Sequence, residues 1–357
     1  MKLIHCSDIH LDSKMESNLT AAQARERSAE ILATFGRMVQ FAKANQVDAV
    51  LIAGDLFDTR RVSARTADFV LDVIRSAENV DFLYLRGNHD EAHDVFADRE
   101  LPGNFKTFGN EWTSWRYGDV VITGLEPDRE NREELYDSLN LNPEDTNIVM
   151  LHGQVSASMG AEQIALPLLK NRNIHYLALG HIHSFRLEKL DLDGIWCYCG
   201  CLEGRGFDEC GEKGFVLVNA ENRRIQAEFV PYAFRTLEEV SVDITGLTTV
   251  SQIQNAMEKA SASISPDSLV KFTFIGEYTL ETQKDLHFLK KILEEKFWFV
   301  KIKDESRLMI DRASYEHDIS LKGEFIRMVM ASDRSEEEKA QIILCGIRAL
   351  SGEEVTL

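Results

Sequence analysis

"HYLALGHIHSF", residues 175–185, is an apolar run that stops on glycine and then presents His181 and His183 two positions apart. Side chains alternate faces along a strand, so at this spacing both imidazoles are expected to leave the strand end on one side, beyond the last sheet hydrogen bond. The strands around it end in the same way. "KLIHCSD" (2–8) closes on Asp8, "DAVLIAGD" (48–55) on Asp55, "DFLYLRGN" (81–88) on Asn88, and "NIVMLHG" (147–153) carries His152 near its end. Between the first three, residues 26–44 put Ile31, Phe35, Met38, Val39 and Ala42 on one helical stripe, and a second helix is expected at about 64–77. Strand and helix alternate as in parallel α/β units. Ligands of open α/β sheets gather beyond the carboxyl ends of the strands, so Asp8, Asp55, Asn88, His152, His181 and His183 should share one rim.

From "WTSWRYGDVVITGLE" (112–126) the texture turns antiparallel, and residues 184 to about 232 read as successive strands with Gly-rich turns that complete a second sheet packed on the first. A boundary is expected near "PYAFRTLEEV". The predicted organisation is a large α/β domain over 1–232, a small α+β domain over 233–312 with helices at about 249–262 and 280–296, and a helical tail over 313–357. In that tail Leu321, Phe325, Met328 and Val329, then Ile343, Leu344 and Ile347, form two apolar stripes separated by a Ser335/Glu338 capping box.

Composition bounds the function. The 357 residues are 44% hydrophobic and 28% charged, enough for a sizeable core. No uncharged apolar run approaches the roughly 18 residues that span a bilayer, and "MKLIHCSDIH" lacks the apolar region and cleavage site of a secretion signal. A cytoplasmic protein with no membrane partner is expected. Cys197, Cys199 and Cys201 alternate in "WCYCGC", which fits one face of a strand and reduced structural thiols better than a zinc knuckle. The formal net charge of −19 opposes nonspecific binding to polyanions, so a nucleic-acid substrate would need local help from bound cations or from Arg60, Arg61 and Arg205.

Asp8 and His10 in "SDIHLD", Asp55 in "AGDLFD", Asn88 and His89 in "RGNHDE", His152 in "LHG" and His181 and His183 in "GHIH" recur in order at strand ends. Any one of these is a common turn or a solvated strand cap. Together they make a set of carboxylates, imidazoles and an amide oxygen without thiolate, suited to manganese, iron or zinc. The D-x-H, G-D, G-N-H-[DE], H and G-H-x-H blocks resemble those of the calcineurin-like metallophosphoesterases over roughly residues 1–230. The resemblance implies a four-layer αββα sandwich with a small capping domain. It also implies two divalent ions, best matched by Mn2+, with Fe or Zn possible: Asp8, His10, Asp55 and His183 on one, Asp55, Asn88, His152 and His181 on the other. Such a pair activates a water as hydroxide, orients a phosphate ester and neutralises the attacking and departing oxygens. His89 would serve the leaving oxygen as catalytic acid, with Asp90 orienting it. Asp12 and Asp58 fit equally as partners of ligand histidines or as turn residues, and His93 as a substrate contact or a bystander. His5, Cys6 and His175 read as structural, with His287 and His317 outside the set.

"CSDIHLD", "AGDLFDTRR", "YCGCLEGRGFDECGEKGFVLV" (198–218) and "ISLKGEFIRMVMASDRSEEEK" (319–339) further resemble the exonuclease subunits of DNA-repair complexes, the SbcD-like and YhaO-like bacterial proteins related to the meiotic-recombination nucleases. Some relatives carry histidine where Asp58 stands, and proline and serine are common where Cys199 and Cys201 stand. That resemblance implies a 3′–5′ DNA exonuclease with endonuclease capacity, a cap that selects DNA shape, a homodimer, and tail helices that dock on an SMC-like coiled-coil ATPase. The apolar stripes fit such docking and equally a helical hairpin closing its own core. Two other functions fit the residues: a phosphomonoesterase or cyclic-nucleotide phosphodiesterase acting on small molecules, and a non-catalytic adaptor for the ATPase.

Overall fold

Alternate residues of each central strand belong to different hydrophobic cores, and this period-two division builds the layers. A computed structural model describes residues 1–357 except 16–18, 59–61, 91–94, 97, 127–134, 159, 161 and 351–357. The chain divides into two units, Met1–Thr236 and Leu237–Leu357. The first contains β1 (Lys2–Cys6), α1 (Ala21–Ala44), β2 (Ala49–Ala53), α2 (Ala64–Arg75), β3 (Asp81–Leu85), β4 (Phe105–Thr107), β5 (Thr113–Tyr117), β6 (Val120–Gly124), α3 (Leu135–Ser138), β7 (Thr146–His152), the short pair β8 (Gln154–Ser156) and β9 (Gln163–Ala165), α4 (Leu166–Leu169), β10 (Tyr176–Gly180), β11 (Arg186–Lys189), β12 (Ile195–Tyr198), β13 (Gly214–Glu221) and β14 (Arg224–Pro231).

Two six-stranded sheets result, ordered β14-β13-β1-β2-β3-β4 and β11-β12-β10-β7-β6-β5. Ile4, Val50, Ile52 and Phe82 pack under α1 and α2, while their neighbours Leu3, Leu51 and Leu83 meet Ile148, Met150, Tyr176 and Ala178 of the other sheet. Val149, Leu151, Leu177 and Leu179 turn outward under Leu135, Leu139 and Leu169. These three apolar seams separate helix, sheet, sheet and helix, the four layers of an αββα sandwich. α1 begins ahead of its expected start because Thr20 and Gln23 form a capping box there.

One connection departs from the sequence reading. β11 and β12 extend the second sheet, but β13 and β14 join the first, with β13 antiparallel to β1. The chain changes sheets just after β12: Gly200 adopts φ 77 and Cys201 bridges to Ser7 beyond the end of β1. A left-handed turn of this kind favours glycine.

The second unit holds a three-stranded parallel sheet of β15 (Leu237–Asp243), β16 (Leu269–Ile275) and β18 (Phe299–Asp304), with the short parallel pair β17 (Glu277–Tyr278) and β19 (Arg307–Leu308). Helices α5 (Val250–Ala260) and α6 (Leu286–Glu294) bury Ile253, Met257, Leu289 and Leu293 against Val270, Phe272 and Phe274. After α7 (Arg312–Tyr315), α8 (Leu321–Met330) and α9 (Glu336–Leu350) pack through Ile326, Val329 and Ile343. The expected stripe on α8 is shifted: Leu321 is 70% and Met328 68% exposed, and Ile326 takes the buried position. Ser335 and Glu338 form the expected capping box. Among the described residues no helix is long and apolar enough to cross a membrane.

Candidate metal centre

Beyond the carboxyl ends of β1, β2, β3, β7 and β10 the polar side chains converge. Asp8 (φ 49), His10 (φ 49), Asp55 (φ 52) and His181 (φ 100) all occupy left-handed backbone, which costs a non-glycine residue on the order of 1–3 kcal/mol. Backbone bonds hold two of these turns: Asp8 N–H donates to Gly54 O at 3.0 Å and His10 N–H to Asp55 O at 3.0 Å. Two glycines make room for the ligands themselves. A Cβ on Gly54 would lie 2.0 Å from His152 Nδ1, and one on Gly87 would lie 2.2 Å from Asp55 Oδ1.

His181 and His183 lie past the end of β10, in the turn where His181 has positive φ, so strand alternation does not govern them. The two rings diverge. His183 Nε2 lies 3.2 Å from His10 Nε2 and 3.7 Å from Asp8 Oδ1. His181 Nδ1 lies 3.3 Å from Asn88 Oδ1, which is 3.0 Å from His152 Nε2. Asp55 stands between the groups, its Oδ2 being 3.9 Å from His10 Nε2 and 3.5 Å from His152 Nε2. Metal–ligand bonds of about 2.0–2.2 Å put adjacent ligand atoms roughly 3–4 Å apart, which is this spacing. The donors, hard carboxylate and amide oxygens with borderline imidazoles, match divalent manganese, iron or zinc chemistry. Asp8, His10 and His183, and separately Asp8, Asp55 and His152, offer ligand atoms close enough together for an ion. The residues present therefore fit a dinuclear divalent site.

The electrostatics show what these donors do to one another. Burial opposes charge on Asp55, but the hydrogen bond and charge of His152, with His10 behind, outweigh it and hold the carboxyl at about 2. Burial likewise opposes protonation of His152, yet Asp55 pushes it up to about 9. His10 is lowered by burial against the pull of Asp58.

Behind the ring of donors stand groups of unequal character. His10 Nδ1 is 3.1 Å from Asp58 Oδ1 and His183 Nδ1 donates to Glu209 Oε1 at 2.6 Å, whereas His152 Nδ1 donates to the Ala53 carbonyl at 2.9 Å. Burial disfavours the Glu209 carboxylate, but His183 and Arg205 overcome it and hold it at about 2. Asp58 thus sits on a histidine, while Asp12 accepts from Ser63 N–H and Thr66 Oγ1 at the start of α2 and is a turn residue. Glu209 escaped the sequence reading. It lies 26 residues from His183 and no spacing rule pairs them.

His89 has a half-exposed ring, edge-on to His10 at 5.0 Å between centroids, and its backbone N–H donates to Asp55 Oδ1 at 2.9 Å. Asp90 does not orient that ring. Its buried carboxylate accepts from the backbone N–H groups of Leu56, Phe57 and Gly87, tying two ligand loops together, and burial aided by Asp55 raises it to about 6. Asp58 is the acid near His89, at 3.9 Å from Nδ1. Arg205, one of the cations expected to meet a polyanion, is engaged by Asp58 and Glu209. Arg60, Arg61 and His93 lie outside the described residues.

The remaining candidates are structural. His5 is buried with Nδ1 2.8 Å from Tyr176 Oη, and His175 Nδ1 accepts from Asn147 N–H. The cysteines are free, and Cys6, Cys197, Cys199 and Cys201 are buried. His287 and His317 are exposed residues of the second unit.

The sequence model for calcineurin-like phosphoesterases matches residues 1–185. The chain is similar to the uncharacterized metallophosphoesterase YhaO of Bacillus subtilis, 27% identical over 339 residues that cover 86% of this chain and 82% of that protein. It is similar to the DNA double-strand break repair protein Mre11 of Haloferax volcanii, 27% identical over 274 residues, spanning 72% of this chain and 58% of its relative. With the Mre11 protein of Saccharolobus solfataricus the identity is 22% over 388 residues, covering 99% and 96% of the two chains.

Proposed function

The chain belongs to the calcineurin-like phosphoesterase family, and from that premise we propose that this phosphoester hydrolase cuts phosphodiester bonds in DNA, as a 3′–5′ exonuclease with endonuclease capacity in the processing of DNA ends. The observation that carries the reading is the convergence of donors from five strand ends on Asp55. Similarity to proteins described as DNA double-strand break repair proteins, along most of this chain, supports DNA as the substrate.

In this reading Asp8, His10, Asp55 and His183 hold one ion and Asp55, Asn88, His152 and His181 the other; the donors suit manganese, iron or zinc, and the family resemblance favours Mn2+ among them. Two bound ions supply Lewis acidity, make a water acidic and offset charge on a phosphoryl oxygen. Left-handed backbone at Asp8, His10 and Asp55 aims their side chains at one point, and Asp90 keeps the Asp55 and Asn88 loops in register. His89 faces solvent, so its imidazole can deliver a proton to a departing oxygen without leaving a donor position vacant.

A chain of net charge −19 gains little from bulk attraction to DNA. We therefore place much of the DNA affinity in an SMC-like coiled-coil ATPase, and the exposed Ile319, Leu321 and Met328 of the tail support docking there. A cytoplasmic homodimer completes this reading. Incubating the chain, with and without the ATPase, on linear duplex and single-stranded DNA with Mn2+ tests it. Cleavage that chelator abolishes is expected. Chelator-insensitive cleavage, or none with the ATPase present, overturns it, and a preference for p-nitrophenyl phosphate over its bis ester would instead select a small-molecule monoesterase.

A further inference from the structure

Arg205 sits where two carboxylates meet. Its Nη1 donates to Asp58 Oδ1 at 2.7 Å and its Nη2 to Glu209 Oε1 at 2.9 Å, with the side chain 19% exposed. Each acid is also committed elsewhere: Asp58 Oδ1 lies 3.1 Å from His10 Nδ1, and Glu209 Oε1 accepts from His183 Nδ1 at 2.6 Å. The two imidazoles then face one another, Nε2 to Nε2, at 3.2 Å. Arg205, Asp58, His10, His183 and Glu209 therefore form a closed ring of contacts, with the metal-facing nitrogens on one side and the guanidinium on the other.

The guanidinium is itself held in place. Arg205 N–H donates to Glu209 Oε2 at 2.7 Å, and the preceding Gly204 carbonyl accepts from the fully buried Arg27 at 2.9 Å. Glu203, next in line, accepts from Arg27, from Thr34 Oγ1 and from the Phe234 N–H. A planar fork with fixed donors suits two carboxylates at a set angle, whereas the three donors of a lysine ammonium rotate on a flexible stem and do not fix that angle.

The other half of the centre has a different backing, since His152 Nδ1 donates to the neutral Ala53 carbonyl. A carboxylate behind an imidazole fixes its tautomer and raises its strength as a donor. We propose that Arg205 is a positioning residue that locks His10 and His183 through Asp58 and Glu209, and so makes the Asp8–His10–Asp55–His183 half the tighter of two unequal ion sites. The proposal rests on the dinuclear reading given above.

Calorimetric titration of the metal-stripped full chain with Mn2+, with far-UV circular dichroism to establish folding, tests it. The wild-type chain should take up two ions in two resolved steps. Arg205→Gln should weaken the tighter step by about 10–100-fold and leave the weaker one unchanged, and Arg205→Lys should fall between. If Arg205→Gln does not fold, Glu209→Gln addresses the same ring from its other side, with the same expected loss confined to one step. Two wild-type affinities in the folded variant, or equal weakening of both steps, overturns the proposal and leaves the dinuclear reading intact. A wild-type chain that binds no divalent ion overturns that reading itself, and this inference with it.

Discussion

His89 and His5 show how differently one side chain behaves at the rim and in the core. The half-exposed His89 ring lies beside His10 and Asp58, and what the residue gives Asp55 is a backbone N–H that any residue keeps. His89→Ala should therefore lower kcat on a phosphodiester by roughly 10²–10⁴, the usual worth of a general acid, while the number of Mn2+ ions bound stays the same. Steady-state kinetics beside a metal count on one preparation would check this, and loss of an ion would recast His89 as a ligand. His5 is fully buried against Tyr176, and burial lowers it from 6.5 to about 3. A depressed histidine is neutral in the folded chain and protonated in the unfolded one through that window, so the unfolded state binds more protons. Its contribution is complete above pH 6.5 and is lost as pH falls toward about 3, at up to about 1.4 kcal/mol per pH unit. His5→Gln, which still offers Tyr176 a partner, should flatten the rise of urea-derived stability with pH between pH 4 and 6; parallel curves for the two proteins would count against it.

At the scale of the element, α1 carries a charge no amphipathic helix would be expected to bury. Arg27 is fully buried and bonds Glu30, Glu203 and the Gly204 carbonyl, while Arg235 closes on Glu30 from the end of the same unit. Removing one member of a buried network orphans its partners and costs on the order of 3–5 kcal/mol. Arg27→Met should destabilise by that much in denaturant titration, and adding Glu203→Gln should recover part of it, because one orphaned charge leaves too. Equal loss in the single and double variants would refute the pairing. This network also marks where the sequence stopped being legible. Apolar runs such as "AVLIA" and "YLALG" with polar ends are local signals, and they suffice for the layers and for the rim of Asp8, Asp55, Asn88 and the histidines. The crossing after β12 depends on the turn at Gly200 and on where Cys201 meets Ser7, neither of which a period-two pattern encodes. Glu209 and Arg205 reach the centre through a turn rather than a strand end, so they were invisible as a pair. The α8 stripe failed for the reverse reason: a helical wheel ranks apolar faces, and the contact with Ile343 is what selects Ile326 over Met328.

The whole molecule keeps its chemistry and its second unit apart along the chain. All seven donors, His89, and the Arg205 ring fall within Met1–Thr236, which also contains the three seams of the sandwich and the Arg27–Glu203–Arg235 network. Leu237–Leu357 owns separate apolar clusters around Phe272 and around Ile326. Among the described residues, none of the seven candidate donors comes from this second unit. Expressing residues 1–236 alone should give a folded protein that binds both divalent ions and turns over bis-p-nitrophenyl phosphate as the full chain does, because all seven candidate donors and His89 lie within that unit. DNA cleavage should fall in the same preparation if residues beyond 236 select DNA. The small diester controls for the centre, so the ratio of the two rates isolates substrate choice. Unchanged DNA cleavage would take that role away from the second unit, and loss of diester turnover together with the ions would show that the centre needs it for assembly.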